Sequence, residues 1–134
     1  MTALVAIVTV LVLLFYFWTA LTVGRMRGKH KIDAPAMTGH PEFERAVRVQ
    51  MNTLEWIVIF LPAMWLCAAY VNPMLAAALG VVWIVGRYMY MQGYLKDPKA
   101  RSMGFMIQMG ATAVALFGGL IGAVVSIFTG GGGA

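Results

Sequence analysis

The chain has 134 residues, 61% of them hydrophobic and only 11% charged, with a mean hydropathy of +0.81. Soluble domains carry about 25% charged residues, so this composition excludes an ordinary soluble domain. The net charge of +5, set beside long apolar runs, marks membrane topology rather than a nucleic-acid footprint.

A span takes about 20 apolar residues, so the length admits four spans with short loops and no separate soluble domain. The expected fold is all-α: an integral membrane four-helix bundle, with residues 1–129 as a single four-span domain and 130–134 as a disordered glycine-rich tail.

In chain order, Ala3 to Val23 carries no charge and is long enough to cross a bilayer. Positive charge follows this run, at Arg25, Arg27, Lys29 and Lys31, instead of preceding it as in a cleaved signal, so a retained first span is expected. Residues 29–40 contain Pro35, Gly39 and His40 and read as a polar loop, with Asp33-Ala34-Pro35 as a turn. Pro41 suits a first helical position, and Thr38, Gly39 or His40 flanks the cap of a second helix. Glu42 and Glu44 then occupy its first turn, where the helix dipole favours acids. That helix continues to Tyr70, with a kink expected at Pro62. Val71-Asn72-Pro73 is a tight turn, Met74 to Tyr94 a third span, Leu95 to Arg101 a charged break around Pro98, and Ser102 to Phe128 a fourth span.

All ten Lys and Arg residues belong to the loops after spans one and three or to the adjoining helix ends. Both basic loops are therefore expected in the cytoplasm, and both termini on the extracytoplasmic or lumenal side. Lone Cys67 lies in an apolar run and reads as a packed thiol. Ala111, Ala115, Gly119 and Ala123 recur at four-residue spacing beside Gly118 and Gly122, which fits either packing within the subunit or an oligomer seam. No metal constellation is expected, since His30 and His40 share a loop far from Cys67.

Two polar stripes stand out against this background. On helix two, Arg45, Arg48, Asn52 and Glu55 fall within roughly 80° of one another. On span three, Trp83, Arg87, Tyr90 and Tyr94 share one face, and a carboxylate such as Glu55 or Glu44 is the expected partner of Arg87. Polar groups leading into hydrocarbon must face protein, water or a ligand. Brought together, guanidinium groups, amides, phenols and a carboxylate suit a small zwitterionic or anionic ligand near the cytoplasmic surface. Mutual salt bridging among the same residues would equally account for them.

The run ERAVRVQMNTLE at residues 44–55 resembles the signature of the MAPEG superfamily, the membrane-associated proteins of eicosanoid and glutathione metabolism. The block GRYMYMQGYLKDPKARSMGF at residues 86–105 matches as well, and the resemblance to microsomal glutathione transferases and leukotriene-C synthases covers most of the chain. It implies a homotrimer of four-helix subunits that binds glutathione between neighbours at the cytosolic side. Carried over by position, Arg48, Asn52, Glu55, Tyr90 and Tyr94 hold the tripeptide, with Gln50 in the pocket. Arg27 matches an arginine that helps bind it in leukotriene-C synthases, and Arg101 matches the arginine assigned there to thiol activation. Those synthases carry a second basic residue after the first-span arginine. Here that position is Gly28, a departure that favours general conjugation over leukotriene synthesis.

The expected function is thus a detoxifying membrane glutathione transferase, with glutathione as co-substrate and no metal. It conjugates lipophilic electrophiles arriving from the membrane lipids and, as an added activity, reduces lipid hydroperoxides. Arg101 is the expected catalytic residue, and Arg45 and Arg87 are supporting polar groups. The site faces the cytoplasm, from the inner membrane if the source is bacterial. Two rivals use the same residues: a non-catalytic glutathione- or lipid-binding relative, and a small proton-coupled exporter relying on Glu55. Such exporters place their acid in the first span, where Ala3 to Val23 has none.

Overall fold

The computed structural model describes residues 2–97 and 101–130. It contains four helices: α1 (Thr2–His30), α2 (Pro41–Tyr70), α3 (Pro73–Lys96) and α4 (Ser102–Thr129). All four are long and apolar enough to cross a membrane, and no strand occurs among the described residues. The tail at 131–134 lies outside them, as do residues 98–100 of the α3–α4 break.

Helix α1 runs well past the end of the apolar stretch, which corrects the expectation of a loop beginning at Lys29. At 1.5 Å per residue its 29 residues extend about 43 Å, against a hydrocarbon core of about 30 Å. The excess is its cationic end, and Arg27, Lys29 and His30 in the last turn complement the negative end of the dipole. Lys31, at φ 55°, stops the helix in the left-handed conformation, and Ile32 N donates to Arg27 O at 3.0 Å. That is the six-to-one bond of a Schellman cap. The buried face of α1 steps through Val5, Val8, Val12, Phe15 and Thr19, the three- and four-residue rhythm of one helical stripe.

The other ends are fixed by side chains. His40 caps α2, its Nδ1 accepting from Glu42 N at 3.1 Å, and Glu44 Oε2 accepts from Gly39 N at 3.1 Å. Asn72 caps α3 with one oxygen that accepts from Met74 N at 2.7 Å and Leu75 N at 3.1 Å. Pro41 and Pro73 take the first helical positions, where a missing N–H costs nothing. Helix α2 is continuous through Pro62.

The principal core joins all four helices through residues such as Val8, Phe60, Met64, Cys67, Trp83 and Ala115, with Phe60 stacked on Trp83 at 5.0 Å. Helices α3 and α4 cross at backbone contact. A Cβ on Gly86 would lie 2.7 Å from Gln108 N, and one on Gly104 would strike Tyr90 N and Gly86 O. Further along α4, a Cβ on Gly119 would meet Leu66 and Cys67, and one on Gly122 would meet Tyr70 O at 2.5 Å. Ala111 and Ala115 are also buried within the chain. Gly104, Ala111, Ala115, Gly119 and Gly122 of α4 thus serve close packing inside the subunit, whereas Gly118 has open space beside it. Large apolar side chains such as Val58, Phe117, Ile121 and Ile127 remain exposed, as a lipid-facing surface requires.

Candidate functional site

The α3–α4 crossing places the last two turns of α3 beside the first two of α4, with α2 closing the third side. Between them lies a cavity of about 500 Å³ lined by Arg48, Asn52, Tyr90, Tyr94, Arg101, Ser102, Phe105 and Met106. The helices contribute residues one turn apart: 48 and 52 from α2, 90 and 94 from α3, and Arg101 at the N-cap of α4 with Phe105 one turn into it. Tyr90 and Tyr94 stack at 5.6 Å, Phe105 lies 6.1 Å from Tyr90 and edge-on to Trp56 at 5.5 Å, and the Arg101 guanidinium stands 5.6 Å over the Tyr94 ring. The wall is therefore an aromatic floor with two guanidinium groups, an amide, two phenols and a hydroxyl. Among the described residues, no carboxylate lines it. The N-terminal end of α4, whose first helical residue is Ser102, adds the positive end of a helix dipole.

Behind this wall sits Arg87, fully buried. Its Nη1 donates to Asn52 Oδ1 at 2.8 Å and its Nη2 to Thr53 Oγ1 at 2.6 Å, while Thr53 passes its own proton to Val49 O at 2.6 Å. The guanidinium also lies 4.2 Å over the Tyr90 ring. The expected carboxylate partner is not the one chosen. Glu44 sits eight residues before Asn52, about 12 Å up the helix, and is used at the α2 cap, while Glu55 is exposed. Two neutral oxygens and two aromatic faces hold the charge instead.

A family model described as "MAPEG family" matches residues 5–121. The chain belongs to the MAPEG family. Among its relatives, human microsomal glutathione S-transferase 2 is 40% identical over 119 residues, covering 89% of this chain and 81% of the relative. Guinea pig (Cavia porcellus) leukotriene C4 synthase is 37% identical over 99 residues, covering 74% and 66%. An uncharacterized protein of Synechocystis sp. is 40% identical over 116 residues, covering 87% and 85%. With four helices capable of spanning a bilayer, this MAPEG chain is an integral membrane protein.

The MAPEG chain gathers only part of the anticipated residue set. Arg48, Asn52, Tyr90, Tyr94 and Arg101 meet at the cavity. Arg45 turns away to donate to Leu95 O at 3.2 Å, tying α2 to the end of α3. Gln50 is half-buried outside the lining, and Glu55 is exposed. Arg27 donates to Ala36 O at 2.7 Å and lies 4.9 Å over the Phe43 ring, bracing the α1–α2 loop. Ser102, Phe105 and Met106 join the wall unannounced, although their numbers follow directly from Arg101 once helix four starts there and advances by one turn.

The remaining charge cluster lies at the α1–α2 junction. Glu42 Oε1 accepts from Lys29 Nζ at 2.8 Å and faces His30 Nε2 at 2.9 Å, and His30 stacks on His40 at 3.6 Å. Among the described residues, no group of three or more His, Cys, Asp or Glu side chains could hold a metal ion.

Proposed function

We propose that this MAPEG protein is a membrane-bound glutathione transferase that joins the glutathione thiolate to lipophilic electrophiles, with glutathione-dependent peroxidase activity toward lipid hydroperoxides as a secondary capacity. One observation carries the reading: the cavity collects Arg48, Arg101, Asn52 and two tyrosines, with no carboxylate among the described residues that line it, in a chain of this family. Such a wall favours an anionic ligand rich in acceptors, and glutathione brings two carboxylates and two amide carbonyls. Relatives named as glutathione S-transferases and leukotriene C4 synthases support the same reaction class.

The ammonium of glutathione needs an acid that the single-chain cavity lacks. Glu55 lies about 20° from Arg48 in helical projection, is exposed, and has no hydrogen bond or ion pair to another described residue. In a homotrimer with glutathione seated between neighbours, Glu55, Gln50 and Arg27 complete the site across that contact. The cytoplasm is the side both basic loops face, so the tripeptide enters from water and the electrophile from the bilayer.

The chemistry asked of the protein is modest. A thiol at the ordinary cysteine value of about 8.5 is only a few per cent ionised at pH 7. Lowering that value by about two pH units takes roughly 2.7 kcal/mol of preference for the thiolate. A guanidinium in a partly desolvated cavity supplies that order of energy, and Arg101 stays charged throughout. The thiolate attacks the electrophilic carbon, the carbon–sulfur bond forms, and the leaving group departs with its bonding pair. The thiol proton is released to water.

Purified protein, glutathione and a chromogenic aryl halide form the test. Conjugate release with most of the rate lost in Arg101→Ala supports the assignment. Binding of glutathione with no thiolate absorbance and no conjugate makes the protein a non-catalytic binder. Unchanged turnover in Arg101→Ala removes that residue from its role.

A further inference from the structure

Asn52 stands at the cavity wall, and a primary amide can present either a donor or an acceptor there. The residue behind it decides which. Arg87 Nη1 lies 2.8 Å from the Asn52 amide oxygen, and a guanidinium has only donors, so an amide nitrogen at that place would leave two donors face to face. The NH₂ is therefore the half of the amide left for the cavity.

Arg87 has no room to relax this choice. Its other arm is 2.6 Å from Thr53 Oγ1, whose proton is committed to Val49 O at 2.6 Å, so every hydrogen bond in the chain runs one way. Tyr90 at 4.2 Å and Trp83 at 5.9 Å stand against the same guanidinium, and the side chain is completely buried. Both oxygens it meets are neutral, so its positive charge persists behind the amide.

We propose that Arg87 is a positioning residue that fixes Asn52 as a hydrogen-bond donor toward the cavity, so that the ligand group meeting Asn52 is an acceptor, and a carboxylate in preference to an amide carbonyl. This rests on the glutathione reading above and adds to it a polarity at one point of the site. It also gives the buried cation a task that an ion pair could not perform. A carboxylate partner for Arg87 would present its second oxygen to the cavity and repel the ligand.

Asn52→Asp creates that situation while keeping the Arg87 contact. The variant keeps the thermal stability of the parent, because the new carboxylate pairs with Arg87. Its KM for glutathione rises by about tenfold or more, the scale set by losing a charge-assisted hydrogen bond. The rise exceeds that of Asn52→Ala, which only deletes the donor, and kcat at saturating glutathione moves much less than KM. Arg87→Lys, whose ammonium lacks the two-armed fork, gives a smaller rise than Arg87→Met. If Asn52→Asp takes up glutathione as tightly as wild type, the amide shows its oxygen to the ligand and the proposal is overturned. A wild-type protein that binds no glutathione defeats the functional reading and this inference together. Binding in wild type with an indifferent Asn52→Asp defeats this inference alone.

Discussion

Replacing Gly104 by alanine inserts one methyl group where nothing can step aside. The new Cβ would meet Tyr90 N, Gly86 O at 2.5 Å and Met89 C at 2.8 Å, all of them backbone atoms. No rotamer change relieves such contacts, so α3 and α4 must separate. Overpacking a tight contact costs about 1–3 kcal/mol, and here every clash is with main chain, so the upper end applies. Alanine's better helix propensity returns about 1 kcal/mol, leaving a net loss of about 2 kcal/mol. The same separation draws Tyr90 and Tyr94 on α3 away from Arg101 and Phe105 on α4, across the cavity they share. Gly110→Ala is the control on the same helix, since a Cβ there meets nothing within 4 Å. Thermal unfolding in one detergent and glutathione titration, run on both variants, make the comparison. Gly104→Ala should unfold earlier and bind more weakly, whereas Gly110→Ala keeps its affinity and is at least as stable as the parent, gaining up to about 1 kcal/mol of helix propensity. If both variants behave alike, the crossing does not set the site's geometry.

Other consequences follow from particular contacts. Asn72→Ala removes the oxygen that caps two amides of α3 and lowers stability by about 1 kcal/mol, whereas Asn72→Asp keeps most of it; thermal unfolding distinguishes them. Glu42→Gln weakens contacts between α1 and α2 whose side chains are 59% and 32% exposed on the Lys29–Glu42 side, so the unfolding temperature should not move measurably. Arg101→Ala should slow conjugation by about twentyfold at pH 7, because the bound thiol returns toward its ordinary value of about 8.5. Since only the thiolate reacts, that gap closes as pH rises through the variant's thiol value, and a pH–rate profile of both proteins reads it directly. A gap that persists unchanged at high pH would mean Arg101 acts on something other than the thiol.

Much of this architecture was legible because membrane helices announce themselves by length and charge. Four apolar runs, Pro41 at the start of α2, the Val71-Asn72-Pro73 turn before α3, and cations gathered at two loops and the adjoining helix ends gave the element order. The end of α1 was not legible, because Lys29 and His30 resemble a loop by polarity while the backbone continues helically to the left-handed Lys31. The candidate site was half legible. Helical spacing placed Tyr90 and Tyr94 on one face with Arg87, and Arg48 beside Asn52, but periodicity gives only the face of a helix. Whether Arg45 turns to Leu95 O or Arg87 selects Asn52 over a glutamate depends on how far apart two helices lie. The α3–α4 separation that shapes the rest of the cavity is set by Gly86 and Gly104, whose missing side chains carry no hydropathy signal. Asn72 was visible only as a turn residue; its capping role requires the direction of the α3 start.

An equilibrium titration with glutathione, followed by ultraviolet thiolate absorbance in wild type and Arg101→Ala, addresses the account most directly. The cationic cavity should produce a saturable thiolate signal near neutral pH in wild type, and Arg101→Ala should bind glutathione while losing most of that signal. Equal thiolate absorbance in the two proteins, or none in either, would contradict the claim that this cavity grips glutathione and ionises its thiol.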